Sequence, residues 1–194
     1  MSKLTRKDTI LSISTNPLVG RMSEMEKPVE VFQAQYKDDR VYIPLSPSLR
    51  ELRERGFGDL KKGKIQLSPF EAFYLVEKGR IRVSDVKTSE LVELRDLVDG
   101  LSAGRSEIWI KYLIYRDLRD RGYIVRESKD ADFEVHGKGA TRRLMSIIYE
   151  GREASLEELS KYLRVAEREK KELILAVIDR RTDIVYYSLS SLEI

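Results

Sequence analysis

The segment that most constrains this chain runs from residue 112 to residue 135, YLIYRDLRDRGYIVRESKDADFEV. Its first half continues an apolar pattern with the i, i+3, i+4, i+8 spacing of one helix face, set by Ile110, Leu113, Ile114 and Leu118. Gly122 stands where a helix commonly ends in a left-handed residue, and strand-forming residues follow it. A second strand opens at Asp132-Phe133. The pattern predicts a helix followed by two strands, as in an α/β domain.

The composition excludes several kinds of site. Charged residues make up 36% of the 194 residues, yet 36 Lys and Arg against 33 Asp and Glu leave a net charge of only +3. This balance permits a nucleic-acid partner without requiring one. The chain has no cysteine and only one histidine, His136, so disulfides, thiolate metal sites and histidine zinc sites are excluded. We therefore expect no metal and no cofactor.

The same sequence predicts where the chain works. It has no run approaching the ~18 apolar residues of a membrane span, and its first residues lack the apolar core of a signal peptide. We expect a cytoplasmic protein with no membrane partner. Abundant Lys, Arg and Glu with few Asn, Gln and Cys lean toward a thermophile.

The first hundred residues predict a small mixed domain. Residues 9–13, 29–36 and 41–43 have the character of short strands, the last two flanking a hairpin turn. Ser46-Pro47 predicts a short helix ending at Gly56, and Ser68 with Glu71 forms a capping-box pattern at the start of a second helix. A brief strand (81–83) and an amphipathic helix (89–98) follow. The small residues 100–104 suggest a domain boundary, giving domains 1–100 and 101–194.

The second half predicts strands around one more helix. Residues 144–149 have the character of a strand, and Ser155 with Glu158 suggests a second capping box opening an amphipathic helix. The unbroken apolar run 173–178 is typical of a central strand buried on both faces. A turn at 180–183 leads into a last strand, 184–189.

Three blocks of this sequence form a recognisable set. The first is Y-x-x-Y-R-x-L-R-x-R-G-Y-x-V, from Tyr112 to Val125, followed by D-F-x-V at residues 132–135. The second lies between Gly56 and Gly79, and the third is LILAVIDRRTDIVYY, residues 173–187. Taken together, these blocks resemble the archaeal tRNA-splicing endonuclease family, and the resemblance covers most of residues 50–190. It implies an α+β N-terminal domain followed by an α/β nuclease-like C-terminal domain with a central mixed sheet.

The resemblance also implies a metal-free cleavage chemistry, in which a ribose 2′-oxygen attacks its own phosphorus. That reaction needs a base, an acid and a cation, for which the family uses a tyrosine, a histidine and a lysine. Here the equivalent positions hold His136, Arg143 and Lys171. Arginine cannot donate a proton near neutral pH, so a general acid is missing. His136 is either a replacement base or, as we favour, a position with only a packing or surface role.

Further positions follow from the same resemblance. Arg164 matches an arginine that stacks on an extruded RNA base, although a solvated helix arginine is equally compatible with the sequence. The last strand offers a free edge for subunit pairing through Tyr186, Tyr187 and Leu189. The turn carrying Asp179 and Asp183 resembles a family loop that inserts into an opposite subunit, although Arg180 and Arg181 cancel its charge.

The sequence therefore predicts the structural subunit of a hetero-oligomeric splicing endonuclease, built from two catalytic and two structural chains. With its catalytic partner it would cut bulge-helix-bulge introns in precursor tRNA, leaving 2′,3′-cyclic phosphate and 5′-hydroxyl ends. Two alternatives stay open. One is an autonomous homo-oligomeric endonuclease using His136 and Lys171, and the other is a stand-alone RNA-binding module.

Overall fold

A computed structural model describes residues 30–102, 105, 107–137, 142–151 and 155–190. The strand predicted at residues 9–13 lies outside the described residues. The first half forms a five-stranded sheet in the order β3-β4-β2-β1-β5. Its strands are β1 (Phe32–Lys37), β2 (Arg40–Pro44), β3 (Asp59–Lys61), β4 (Lys64–Leu67) and β5 (Ile81–Asp85). All neighbours are antiparallel except β1 and β5, which are parallel.

Three helices accompany this sheet: α1 (Arg50–Glu54) after a 3-10 turn at Pro47–Leu49, α2 (Pro69–Glu77) and α3 (Leu94–Ser102). The capping box predicted for α2 is confirmed, because the Ser68 hydroxyl accepts from the Glu71 amide while the Glu71 carboxylate accepts from the Ser68 amide. Ser46 makes no such cap; its hydroxyl contacts that of Ser48 instead. Ser46 therefore occupies the predicted N-cap position, with Pro47 following it, but its side chain does not cap a backbone amide.

The second half forms another five-stranded sheet, in the order β10-β9-β8-β7-β6. Its elements are α4 (Glu107–Asp120), β6 (Ile124–Glu127), β7 (Phe133–His136), β8 (Arg142–Tyr149), α5 (Leu156–Arg168), β9 (Glu172–Ile178) and β10 (Ile184–Leu189). Strands β8 and β9 run parallel and the other pairs are antiparallel, so the predicted mixed sheet is confirmed. Gly122 ends the helix with φ at 87°, as its position in the sequence predicts.

Helix α4 joins the two halves through one hydrophobic core. Phe70 and Phe73 of α2 pack against Tyr115 and Tyr112 of α4, with ring centroids 5.9 Å and 5.5 Å apart. Phe133 of β7 belongs to the same cluster. A smaller cluster, formed by Leu144, Ala166, Leu173 and Leu175, lies between α5 and the opposite face of the second sheet. The second sheet is therefore covered by helices on both faces.

Several sequence-based element assignments were wrong in detail. Helix α3 begins at Leu94 and not at residue 89, because Leu91 forms a β-bridge with Ser84. The same helix continues through Gly100 to Ser102, so residues 100–102 are helical rather than a loose linker. Ser155 caps α5 by accepting from the amides of Glu157 and Glu158, but only this half of the predicted capping box is formed.

Candidate functional site

Two of the three positions suggested by the family chemistry meet at one end of the second sheet. His136 is the last residue of β7, and Lys171 immediately precedes β9. Strand β7 ends where its antiparallel neighbour β8 begins, and β9 begins beside β8 because those two strands are parallel. The sheet topology therefore collects residues that are 35 positions apart in sequence.

A carboxylate links these two residues. Glu134 Oε1 lies 3.3 Å from His136 Nε2 and 3.2 Å from Lys171 Nζ. Lys171 Nζ also lies 2.7 Å from Glu169 Oε2. The lysine side chain is only 12% exposed, whereas that of His136 is 32% exposed. The ammonium group is thus enclosed between two carboxylates, with the imidazole at the outer side of the cluster.

The third position points elsewhere. Arg143 is paired in register with Val135, a fully buried residue on the α4 side of the sheet, whereas Glu134 and His136 point to the α5 side. Its guanidinium Nε donates to Glu172 Oε2 at 2.8 Å. The residue directly opposite His136 is instead Arg142, which is exposed. Arg143 therefore stands near His136 along the chain but on the other face of the sheet.

The electrostatics of this cluster keep Lys171 charged. Its hydrogen bond to Glu169 raises the pKa of the Lys171 ammonium, and the bond to Glu134 acts in the same direction. The same contact lowers the pKa of the Glu169 carboxyl. Lys171 can therefore supply a positive charge but not a proton at neutral pH. The only imidazole available for proton transfer is that of His136.

Glu134 is the residue that sequence reasoning about the site missed. Its place between His136 and Lys171 does not follow from the family motif. The signal was present, because residues i and i+2 of a strand share a face, which puts Glu134 beside His136. Its approach to Lys171 depends on the β7-β8-β9 pairing, which a single sequence does not reveal.

Arg164 lies on the exposed surface of α5. This helix buries only Ala166 completely, although Leu159, Tyr162, Leu163 and Val165 pack against the smaller cluster on the sheet. Leu156, in the first turn, is 82% exposed. The predicted stacking role of Arg164 stays a prediction, since the guanidinium is accessible but makes no contact that defines a binding site.

Strand β10 is the terminal strand of its sheet and pairs only with β9 among the described strands. Its side chains alternate between the face that packs on α4 and the opposite face, which is more exposed. The Tyr186 hydroxyl donates to Asp117 Oδ2 of α4 at 2.7 Å, and this bond together with burial raises its pKa. On the other face Val185 and Tyr187 are 49% and 54% exposed, and Leu189 packs beside the α5 cluster. Tyr186 is thus bonded within the chain, whereas Tyr187 is accessible.

The two acidic residues of the β9–β10 turn, Asp179 and Asp183, also differ in that one is bonded within the chain and the other is exposed. Asp179 Oδ1 accepts from the amides of Arg181 at 2.8 Å and Asp183 at 2.9 Å, so its carboxylate shapes the turn. Asp183 is exposed. Of the pair, Asp183 is the one whose carboxylate is accessible to another molecule.

Two further findings concern the described residues only. They contain no group of three or more His, Cys, Asp or Glu side chains that could hold a metal ion. None of their helices is long and apolar enough to cross a membrane.

By its fold this is a two-domain α+β protein with one five-stranded mixed sheet in each half. Residues 32–98 match the family described as tRNA intron endonuclease, N-terminal domain, and residues 108–186 match its catalytic C-terminal domain. The chain belongs to the tRNA intron endonuclease family, and tRNA splicing is the process in which it acts.

Curated relatives are similar over nearly their whole length. The tRNA-splicing endonuclease of Pyrococcus horikoshii is 38% identical over 170 residues, which cover 85% of this chain and 97% of the relative. The tRNA-splicing endonuclease of Methanococcus maripaludis is 31% identical, covering 88% of this chain and 99% of the relative. That of Pyrococcus furiosus is 35% identical, covering 82% and 95%.

Proposed function

We propose that this chain is the structural subunit of a tRNA-splicing endonuclease, assembled with a catalytic partner of the same family in a two-plus-two complex. The partner would supply the base, the acid and the cation for cleavage. This chain would position the partner so that two active sites face the two splice sites of precursor tRNA. The same proposal places the protein in the cytoplasm.

The observation that carries this proposal is the charge at the sheet end. Lys171 is bonded to the carboxylates of Glu134 and Glu169, and Arg143 is bonded to that of Glu172. A phosphate approaching Lys171 would meet an ammonium that is already bonded to two carboxylates, whereas Arg143 and Glu172 lie on the other face of the sheet. Cleavage requires the opposite, namely a cation free to stabilise the charge that develops on the phosphate.

The proton-transfer groups are also incomplete. The family chemistry implied by the resemblance uses a tyrosine and a histidine, whereas the equivalent residues here are His136 and Arg143. Arg143 points to the opposite face of the sheet from His136 and cannot act as an acid near neutral pH. Loss of one general acid or base typically costs ~10²–10⁴ in rate. An isolated base therefore supports little cleavage.

The edge strand β10 supports the assembly part of the proposal. Val185 and Tyr187 place exposed apolar surface next to a row of backbone groups that pairs with none of the described strands, a combination that favours pairing with another strand. Asp183 extends from the adjoining turn. We assign Tyr187, Leu189 and Asp183 to the subunit interface, with Asp179 and Tyr186 shaping that surface from within.

One observation favours the alternative of an autonomous enzyme. The Glu134 carboxylate contacts both His136 and Lys171, and a carboxylate that orients an imidazole is a common arrangement for a general base. In that case the chain alone would cleave RNA with His136 as base and Lys171 as cation.

The test is cleavage of a bulge-helix-bulge RNA in EDTA, by the purified chain alone and with a family member that carries the tyrosine, histidine and lysine. We expect no cleavage by the chain alone and cleavage by the mixture. His136→Ala should leave the rate of the mixture within a few-fold of wild type. A hundredfold fall would contradict the structural role.

Assembly is tested with Tyr187→Glu, which puts a charge on the exposed edge strand. Leu91→Glu is the matched control, because Leu91 is 66% exposed and lies in the first half of the chain. We expect Tyr187→Glu to weaken complex formation in analytical ultracentrifugation and Leu91→Glu to leave it unchanged. Equal assembly of both variants would remove β10 from the interface.

A further inference from the structure

The two faces of the first sheet have opposite character. Side chains such as Ala34, Val41, Ile43 and Ile65 point inward and are at most 2% exposed, and α2 packs on this side. The outward-pointing side chains alternate with them and, apart from Pro44, are polar or charged. We call this second side the outer face of the first sheet.

A row of polar residues crosses the middle of the outer face. Strand register aligns Asp59, Gln66, Tyr42, Gln35 and Ser84 from β3 to β5. Gln33 lies on the same face, in register with Arg82. All three glutamines of the chain, Gln33, Gln35 and Gln66, therefore lie on this one surface. Amide side chains both donate and accept hydrogen bonds.

Cations flank the polar row on both sides. Lys61, Lys64 and Arg82 lie along one side of it, and Lys37 and Arg40 lie along the other, while Lys62 lies in the β3–β4 turn. All six are exposed. None of them forms an ion pair within the part of the chain that the structure describes; Lys64 Nζ only donates to Gln35 Oε1, at 3.4 Å.

Acidic groups offset part of this charge. Asp59 is paired with Arg126 of β6 at 3.0 Å. Asp38 and Asp39 lie in the β1–β2 turn beside Lys37 and Arg40, and the hydrogen bond from the neutral Tyr36 hydroxyl leaves the charge of Asp39 in place. The six cations therefore outnumber the three carboxylates, and the excess positive charge lies on the side of Lys61, Lys64 and Arg82.

The dimensions suit a nucleic-acid backbone. Neighbouring strands lie about 4.8 Å apart, so the five strands span roughly 19 Å, and the two lines of cations lie about 13 Å apart along the strands. Phosphate contacts hold a nucleic acid without reading its sequence, and contacts to the 2′-hydroxyl distinguish RNA from DNA. The outer face combines free cations for the first contact with amides for the second.

We propose that the outer face of the first sheet binds the ribose–phosphate backbone of a helical arm of precursor tRNA. This inference rests on the proposed function, because it takes precursor tRNA as the substrate. The lysines and arginines contact phosphates, and Gln35, Gln66 and the Tyr42 hydroxyl contact ribose 2′-hydroxyls. The contacts are independent of base sequence, which suits recognition of many tRNAs.

The test compares two triple variants of the full chain, each removing three exposed positive charges. Lys61→Gln/Lys64→Gln/Arg82→Gln changes the outer face, and Arg53→Gln/Arg95→Gln/Lys161→Gln changes helix surfaces elsewhere. The ligand is a precursor tRNA made uncleavable by 2′-deoxy substitution at both splice sites. The dissociation constant is measured between 50 and 200 mM salt, and thermal unfolding confirms that both variants fold.

Each phosphate contact on a duplex contributes about 0.9 to the slope of log K against log salt. We therefore expect the outer-face variant to lose about 2.7 from the slope and the control to lose little. Between 50 and 200 mM salt, the affinity of the wild-type chain for precursor tRNA should therefore fall about 40-fold more than that of the outer-face variant. Gln35→Ala/Gln66→Ala should reduce the preference for RNA over DNA of the same sequence.

The outcomes are separable. If the outer-face variant and the control have equal slopes, the inference is overturned even when splicing activity is present. If the outer-face variant instead fails to assemble with the catalytic subunit while its slope stays that of the control, the face binds protein, which also overturns the inference. Failure of the proposed function would give a different result. Either the chain alone would cleave the RNA, or the wild-type chain would not bind precursor tRNA.

Discussion

Arg119 allows a specific prediction about the interactions that stabilise the contact between the two halves of the chain. This residue of α4 is only 6% exposed. Its guanidinium donates to the Arg55 carbonyl at 2.9 Å and to the Tyr123 carbonyl at 3.2 Å, and it stacks on the Phe57 ring with Cζ 3.7 Å from the centroid. One side chain thus joins the loop after α1 to the turn before β6.

The perturbation is Arg119→Met, which keeps the length of the side chain and removes its donors. Two partly buried carbonyls would lose a partner, at up to about 1–3 kcal/mol each, and the stacking of a cation on a ring contributes up to about 2 kcal/mol. Removing the cation also removes its desolvation penalty, which lowers the pKa of Arg119 in the folded protein. We expect a net loss of about 3 kcal/mol in the free energy of unfolding.

The assay is urea unfolding together with calorimetry. For a chain of this size, 3 kcal/mol corresponds to a fall in Tm of roughly 6–12 °C. Arg116→Met is the matched control on the same helix, since Arg116 forms a partly exposed ion pair with Glu77 that should contribute about 0–1 kcal/mol. If Arg119→Met unfolds within about 0.5 kcal/mol of the control, the bridging role of Arg119 is refuted.

Three further predictions concern individual contacts. Burial and the hydrogen bond to Asp120 raise the pKa of Tyr74 to about 12. The unfolded chain therefore loses this proton first, and the free energy of unfolding should fall as pH rises from about 10 to about 12. Because other buried tyrosines contribute to the same fall, Tyr74→Phe should make it smaller, but not abolish it, in urea titrations. A Cβ at Gly58 would lie 2.3 Å from Ile65 Cγ2, whereas one at Gly63 meets nothing within 4 Å. Both glycines have positive φ, so Gly63→Ala should lower the free energy of unfolding by about 1–2 kcal/mol through backbone strain alone. Gly58→Ala should lower it clearly more, because the new Cβ also meets Ile65. Equal losses would contradict the packing argument. Asp179→Ala should cost about 1–2 kcal/mol by removing two turn hydrogen bonds, whereas Asp183→Ala should leave thermal stability unchanged.

The sequence predicted the elements that carry a local signal. Helix α4 has a regular apolar spacing and a terminal glycine, and α2 has a complete capping box, so both were assigned correctly. The hairpin β3–β4 was missed, because its strands are only three and four residues long. Its turn depends on Lys62 and Gly63 both adopting positive φ, for which a run of lysines gives little warning.

The candidate site was only partly predictable for a different reason. Motif positions identified His136 and Lys171, and the parallel pairing of β8 with β9 brings them together. The direction of Arg143 depends on its register with Val135, and the contact between Glu134 and Lys171 depends on three strands at once. Pairing between distant strands produces no periodic pattern of residues in a single sequence, so it could not be predicted. The outer face of the first sheet was hidden similarly, because its cations come from five strands.

Cleavage by the isolated chain is the most direct test of the central claim. Purified protein, free of any other family member, is incubated in EDTA with a bulge-helix-bulge precursor tRNA, and the products are resolved by length and end group. The account predicts intact RNA for the chain alone, and intron release with cyclic phosphate ends once a catalytic subunit is added. Accurate intron release by the chain alone, abolished by His136→Ala or Lys171→Ala, would contradict it.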